Sequence, residues 1–150
     1  MSMRYPASQA HTAEECAELE YLLLGDLQEL MEEQLDETNR RWLLAVLDTL
    51  VEISDRHIRL ADESGGYLSE LLNEFPNWDR RVDRLRERRL RVNDSIRELR
   101  DRIDSREDVS AVAVRIRVDI REWICEYMEQ RRHEIQLMQT AYNWEIGGLG

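Results

Sequence analysis

The sequence predicts an all-α protein, an up-down-up-down four-helix bundle. Apolar residues recur at spacings of three and four along four long segments, which is the pattern of amphipathic helices. The links between these segments are short and polar, and the 150 residues include only six Gly and two Pro. The β-branched stretch "VSAVAVRIRVDI" favours a strand locally, but apolar residues continue in helical register through Tyr127. We therefore expect one bundle domain over residues 1–150, with flexible tails at about 1–11 and 146–150.

The first two helices carry clear boundary signals. The first begins at the capping box "TAEE", in which Thr12 can accept a hydrogen bond from the backbone three residues later, and continues to about Gln34. The second is expected over about 39–63. Gly65 and Gly66 end it, because glycine adopts the left-handed conformation that follows a helix C-cap.

The other two helices follow an aromatic segment. "YLSELLNEFPNW", residues 67–78, is expected to form a short helical lid over one end of the bundle. Asn77 is the predicted N-cap of the third helix, which runs to about Asp104. Ser105 with Asp108 marks the predicted start of the fourth, which runs to about Trp144. Aromatic side chains of the fourth helix are expected to pack in the core and against the lid: Trp123, Tyr127, Tyr142 and Trp144.

Composition restricts the class of protein. A net charge of −11 argues against general binding to nucleic acid, whose phosphates require a basic surface. No segment is long and apolar enough to span a membrane, and the N-terminal residues lack the apolar region of a secretory signal. Cys16 and Cys125 have no CxxC spacing and are expected to be free thiols in a reducing compartment. We therefore expect a cytoplasmic protein.

All 21 basic residues are arginine, and ten of them fall in residues 79–102. Arginine pairs well with carboxylates, so acidic neighbours can neutralise this segment inside the fold. A docking site for an anion on the segment is the alternative interpretation.

Polar residues interrupt the apolar faces of the predicted helices, and bundles build sites from such inward-facing groups. The clearest is Arg89, which occupies a slot in the apolar stripe of "VDRLRERRLRVNDSIREL". Its guanidinium can pair with an internal carboxylate, or the side chain can snorkel to water. Glu20 lies at most at the edge of the first stripe. The predicted buried polar cluster consists of Arg89, Glu134, Gln130, Asn93 and His57.

Three segments resemble the hemerythrin-like, or HHE cation-binding, family. "LLAVLDTLVEISDRHIRLADE" is similar to its second helix, "RLRERRLRVNDSIREL" to its third and "YMEQRRHEIQLMQTAYNWEIGG" to its fourth. The likeness covers roughly residues 15–145. It implies a four-helix bundle whose histidines and carboxylates hold a non-haem di-iron centre.

Most of the metal-ligand positions implied by this resemblance are substituted. Arg89 stands at the histidine slot of the third helix and Gln130 at that of the fourth, whereas Glu134 retains the carboxylate. His57 is followed four residues later by Ala61, which cannot bind metal. We therefore expect Arg89 to pair with Glu134 where a metal centre would otherwise lie. The protein is then a non-enzymatic binding or interaction module without a cofactor, whose partner is an unknown protein or a second copy in a homodimer.

The alternative is a protein that binds iron or oxygen through an irregular ligand set. That set would be His57, Asp62, Glu63 and Glu134 around non-haem iron, with the two acids at the end of the second helix reaching inward.

Overall fold

The computed structural model describes residues 10–105 and 108–149, with side chains through Trp144. Within these ranges all regular secondary structure is helical, which confirms the predicted all-α class built on four long helices. The helices are α1 (Ala13–Met31), α2 (Glu37–Asp62), the short α3 (Tyr67–Glu74), α4 (Asp79–Asp104) and α5 (Ala113–Leu149), with 3₁₀ turns at Pro76–Trp78 and Val109–Val112. Most of the expected N-terminal tail, residues 1–9, and Gly150 of the expected C-terminal tail lie outside the described residues.

The predicted signals at the start of α1 and the end of α2 are confirmed. Thr12 Oγ1 accepts a hydrogen bond from Glu15 N at 3.1 Å. Gly65 has a φ of +88°, a conformation that L side chains rarely adopt. The helix α2 begins at Glu37, slightly before the predicted start, because Asp36 caps it by accepting from Asn39 N at 2.9 Å.

Two predicted helix starts are wrong. Asn77 lies inside a 3₁₀ turn that begins at Pro76 and continues directly into α4, so the side chain of Asn77 caps nothing. Ser105 is the C-cap of α4, and Asp108 caps the next 3₁₀ turn by accepting from Ser110 N. In both places a short 3₁₀ turn takes up residues that the periodicity assigned to an α-helix.

The long helices bury a common apolar core, with α1 packed on α2, α2 on α4 and α4 on α5. Arginines on the α2 side of α4 pair with acids of α2: Arg86 with Asp62 at 2.7 Å, Arg100 with Asp48 at 2.6 Å, and Arg97 with Asp55. The arginine-rich segment is therefore partly neutralised by acidic neighbours, as predicted.

A second apolar cluster closes one end of the molecule. Leu68 and Leu71 of α3 pack with Trp78, Val82 and Ala141. Trp123 and Tyr127 are buried as predicted, but the expectation that Tyr142 and Trp144 pack in the core or on the lid is wrong. Both are more than 60% exposed, because Ala141 of the same turn occupies the face of α5 that packs on the second cluster and these two side chains lie to either side of it. None of the helices, as far as the structure describes them, combines the length and apolar character needed to cross a membrane.

Candidate functional site

Arg89 lies in the interior, in the apolar stripe of α4. The residue is 3% exposed, so its guanidinium does not reach solvent and the snorkelling interpretation is wrong. Its Nη2 donates a hydrogen bond to Glu20 Oε1 at 2.6 Å, and its Nη1 lies 3.6 Å from Glu134 Oε1. Its Cζ lies 5.1 Å from the ring centroid of Tyr127, within the range of a cation–π contact. The guanidinium therefore connects α4 to α1 and to α5.

Glu20 is the central acceptor of this network and is not an edge residue of α1, as its predicted position implied. Its side chain is fully buried, and Oε1 accepts from His57 Nδ1 at 2.7 Å as well as from Arg89. Because Nδ1 must carry a proton to donate here, the 3.1 Å approach of Arg89 Nη2 to Nδ1 is a contact between two donors that share one acceptor.

The surroundings of Glu20 keep its carboxyl ionised. Burial acts to raise the pKa of Glu20, but the charge of Arg89 and the hydrogen bond from His57 outweigh it and hold the pKa below its ordinary value. Burial acts to lower the pKa of Arg89, and the charges of Glu20 and Glu134 outweigh it in turn. The pair is therefore a true ion pair in the interior.

Tyr67 reaches the network from α3. Its hydroxyl lies 3.3 Å from His57 Nε2 and 3.4 Å from Glu134 Oε2. Burial raises the pKa of Tyr67, so the phenol keeps its proton and can donate to either group. The short helix α3 thus supplies a polar side chain to the interior in addition to its apolar packing.

Glu134 is 5% exposed, and its carboxylate accepts hydrogen bonds from side chains of its own helix. Its Oε2 accepts from Arg131 Nη1 at 2.6 Å, and its Oε1 accepts from Gln130 Nε2 at 3.1 Å. Gln130 also donates to the backbone oxygen of Leu85 at 3.0 Å, which joins α5 to α4. Glu134 is thus an ion-pair partner of Arg89 at longer range, while the short hydrogen bond goes to Glu20.

The structure brings together four of the five residues predicted for the buried polar cluster: His57, Arg89, Gln130 and Glu134. Asn93 is also buried, but its Nδ2 donates to Asp55 Oδ1 at 3.2 Å, away from the guanidinium of Arg89. Glu20, Tyr67 and Arg131 complete what we call the Arg89 network.

The acids of the alternative metal site lie elsewhere. Asp62 bonds to Arg86 on the outside of the bundle, and Glu63 is exposed beside the loop that follows α2. Over residues 10–105 and 108–144, no three His, Cys, Asp or Glu side chains are grouped as a metal site requires. The cavity beside His57, Tyr67, Arg89 and Glu134 has a volume of about 10 Å³, which is near the minimum for one water molecule.

These residues do not fit a di-iron centre. Two irons need around half a dozen nitrogen and oxygen ligands, and the interior offers two carboxylates and one imidazole. A permanent cation lies within hydrogen-bond distance of one of those carboxylates and repels a divalent metal ion. Chemically, the arrangement can hold helices together and retain protons at fixed positions.

Two members of the Arg89 network differ in how far the sequence could reveal them. Glu20 lies in register with Cys16, Leu23 and Leu27, at spacings of four, three and four, so the periodicity of α1 contained the signal. Tyr67 carried no such signal, because only the tertiary placement of α3 brings it to His57.

No protein-family model matches the chain, and neither a curated protein nor a solved structure is significantly similar to it.

Proposed function

We propose that this chain is a hemerythrin-like bundle in which the Arg89 network takes the place of a di-iron centre, and that it acts as a non-enzymatic binding or interaction module. The observation that carries the proposal is the hydrogen bond from the buried guanidinium of Arg89 to Glu20 at 2.6 Å. A guanidinium at this position occupies the ligand space with its own charge and neutralises the carboxylate that a metal would need.

An up-down-up-down topology is part of the proposal. It is supported by the order of contacts along α2 and α4, where Asp48 pairs with Arg100 and Asp62 with Arg86. It is also supported along α4 and α5, where the nitrogens of Trp123 and Gln130 donate to the backbone oxygens of Val92 and Leu85. In each case residue numbers rise on one helix as they fall on the other, which is the order of contacts between antiparallel neighbours.

The absence of catalysis is supported by the way the polar groups are used. His57, Glu20 and Glu134 are all engaged with other side chains of the Arg89 network, and the adjoining cavity is too small for a substrate. A nucleophile or general base needs access to its substrate within hydrogen-bond reach.

A cytoplasmic location also belongs to the proposal, because Cys16 and Cys125 are free thiols.

Elemental analysis after iron loading tests this function. The full chain is incubated with Fe(II) under anaerobic conditions, desalted and analysed for iron beside a Glu134→Ala variant treated in the same way. We expect wild type to retain no more iron than the variant, because Arg89 repels the cation from the remaining ligands. Stoichiometric iron in wild type that is lost in Glu134→Ala would overturn the proposal and favour the irregular ligand set.

A further inference from the structure

The short helix α3 is attached to the rest of the molecule by few buried side chains. It buries Leu68 and Leu71, whereas α2 buries nine side chains along its length. Both leucines belong to the second apolar cluster, which shares no residue with the main core. An isolated helix of eight residues is not stable in water, and a segment with few buried apolar contacts opens at a lower free energy than the whole fold. The packing therefore allows α3 to leave its place while the main core stays intact.

The backbone on both sides of α3 departs from helical geometry. Before α3, Gly65 has a positive φ and Gly66 is extended, with a φ of −74° and a ψ of 156°. After α3, Phe75 has a φ of −125° and a ψ of 74°, and Pro76 has no backbone N–H with which to continue the helix. The helix α3 is thus not continuous with α2 or α4. It can move as a unit without breaking the backbone hydrogen bonds of either long helix.

The side chain of Tyr67 lies in the wall between a surface groove and the cavity beside Arg89. The groove, which we call the entry groove, has a volume of about 400 Å³ and lies where the start of α1 meets the end of α2 and the turn that follows it. The cavity lies on the inner side, against His57, Arg89 and Glu134. Among the described residues, Tyr67 alone lines both. A displacement of α3 that withdraws Tyr67 therefore connects the Arg89 network to the surface.

The polar contacts of Tyr67 hold α3 weakly. Its hydroxyl lies 3.3 Å from His57 Nε2 and 3.4 Å from Glu134 Oε2, whereas hydrogen bonds from hydroxyl groups are ordinarily about 2.7–2.8 Å long. Behind the phenol, Arg89 Nη1 makes no hydrogen bond within the described residues. Water that enters on opening can bond to these buried groups, which offsets part of the free energy lost when the leucines of α3 are exposed.

We propose that α3 is a lid, latched by Tyr67, that opens while the four long helices stay folded and exposes the Arg89 network to water through the entry groove. This inference goes beyond the proposed function, since a lid of this kind operates whether or not the bundle binds a partner. In the closed form the phenol of Tyr67 occupies two acceptors, His57 Nε2 and Glu134 Oε2. In the open form both acceptors and the Nη1 of Arg89 are accessible from the entry groove.

Native-state hydrogen exchange of the wild-type full chain, followed by NMR at increasing urea below the unfolding transition, tests the lid. The reporters are the amides of Leu71 and Leu72 inside α3, and the references are mid-helix amides of α2 and α4. We expect the protection factors of the reporters to be at least about 10-fold lower than those of the references, with a weaker dependence on urea, because a local opening exposes less surface than global unfolding. Equal protection with the same urea dependence would overturn the lid.

Thiol labelling distinguishes movement of the whole lid from fraying of its backbone. In a Cys125→Ser background, which removes the exposed thiol, Leu71→Cys places a thiol at a position that is 4% exposed. Leu47→Cys is the matched control, because Leu47 is fully buried in the main core. We expect the thiol at position 71 to react with a disulfide reagent at least about 10-fold faster than the thiol at position 47, since only the former is uncovered by the lid. Equal reaction rates would contradict the proposal.

The role of the latch is tested by Tyr67→Phe, which removes the hydroxyl and keeps the ring. We expect the protection factors of the α3 amides to fall about three- to fivefold while those of α2 and α4 stay unchanged, since the net contribution of one neutral hydrogen bond is small. Tyr21→Phe is the matched control, because Tyr21 is 71% exposed on α1, and it should change neither set. A Tyr67→Phe variant that exchanges like Tyr21→Phe would overturn the latch. None of these measurements involves iron, so the lid and the proposed function fail separately.

Discussion

At the scale of single residues, the fold keeps two opposite charges in its interior. Burying either Glu20 or Arg89 alone would cost several kcal/mol, whereas a hydrogen-bonded pair can roughly break even. Arg89 Nε and Nη1 and Glu20 Oε2 make no hydrogen bond within the described residues, so the pair is not fully satisfied. Apolar side chains of similar size would be expected to serve stability as well or better. The Arg89 network is therefore better explained as favouring one arrangement of the helices over others than as raising the free energy of unfolding.

The depressed pKa of Glu20 predicts how stability depends on pH. A carboxyl whose folded pKa lies below its ordinary value of 4.5 stabilises the fold fully above about that pH, and the stabilisation is lost as pH falls through the folded pKa. We expect Glu20→Gln to be less stable than wild type at pH 7, and the difference to shrink as pH falls below about 4.5. Urea unfolding at pH 7, 5, 4 and 3 measures it.

Glu18→Gln is the control for this measurement, because Glu18 is exposed on the same helix. Its unfolding free energy should stay within about 0.5 kcal/mol of wild type at each pH. A Glu20→Gln variant whose difference from wild type is the same at pH 7 and pH 3 would contradict an ionised, paired Glu20.

The sequence places Arg89 on the apolar face of the third predicted helix, but it does not decide between burial and snorkelling and does not identify the closest partner. Arg89 occupies an apolar position in the stripe of α4, so its side chain must either be buried or snorkel to water. The expected partner was Glu134, which lies 3.6 Å away, while Glu20 makes the 2.6 Å hydrogen bond. A stripe that starts at Leu19 puts Glu20 at its edge. Leu19 is only partly buried, however, and the register through Cys16 and Leu23 buries Glu20.

At the scale of elements, the turn between α2 and α3 positions Tyr67. Gly65 takes up the left-handed conformation, and Gly66 follows it at the N-cap of α3. A Cβ at Gly66 would lie 2.1 Å from the backbone oxygen of Leu60 and 2.5 Å from that of Ala61. The close approach of these backbones therefore requires glycine, and it sets where α3 begins.

Two glycines give a matched prediction for this element. We expect Gly66→Ala to lower the free energy of unfolding by more than about 2 kcal/mol, because the backbone must shift to admit the methyl group. Gly25→Ala should instead raise it by about 0.5–1 kcal/mol. Gly25 is exposed within α1, and a Cβ there would meet nothing within 4 Å.

Chemical denaturation of both variants against wild type measures the effect. A Gly66→Ala variant as stable as Gly25→Ala would show that the turn does not hold α3 as described.

The periodicity of apolar residues predicts the four long helices, but the predicted starts of two of them are wrong. The capping signal predicts the start of α1 correctly, since the side chain of Thr12 acts as the N-cap. Asn77 and Ser105 are equally good caps by residue type, and the 3₁₀ turns around them decided against that role. Short turns of this kind depend on how neighbouring helices pack, which residue type alone does not encode.

At the scale of the whole molecule, two regions contain residues that a simple bundle does not require: buried polar groups in one and exposed apolar groups in the other. The Arg89 network fills the interior, and a groove between α1 and α5 remains open on the outside. Arg131 contacts Glu134 in the network and also lines the groove, so the two regions share one side chain. The four-helix class could be predicted from the sequence; the groove could not, because it depends on the separation of α1 and α5.

The interior ion pair between Glu20 and Arg89 is tested most directly by a double-mutant cycle of unfolding free energies, measured at pH 7 and one protein concentration. Arg89→Ala should cost about 3–5 kcal/mol, since it strands a buried carboxylate. The exposed neighbour Arg91→Ala, as control, should cost less than about 0.5 kcal/mol. We predict that combining Glu20→Ala with Arg89→Ala gives a coupling energy of about 2 kcal/mol or more. A coupling energy near zero, with Arg89→Ala no more destabilising than Arg91→Ala, would contradict the account.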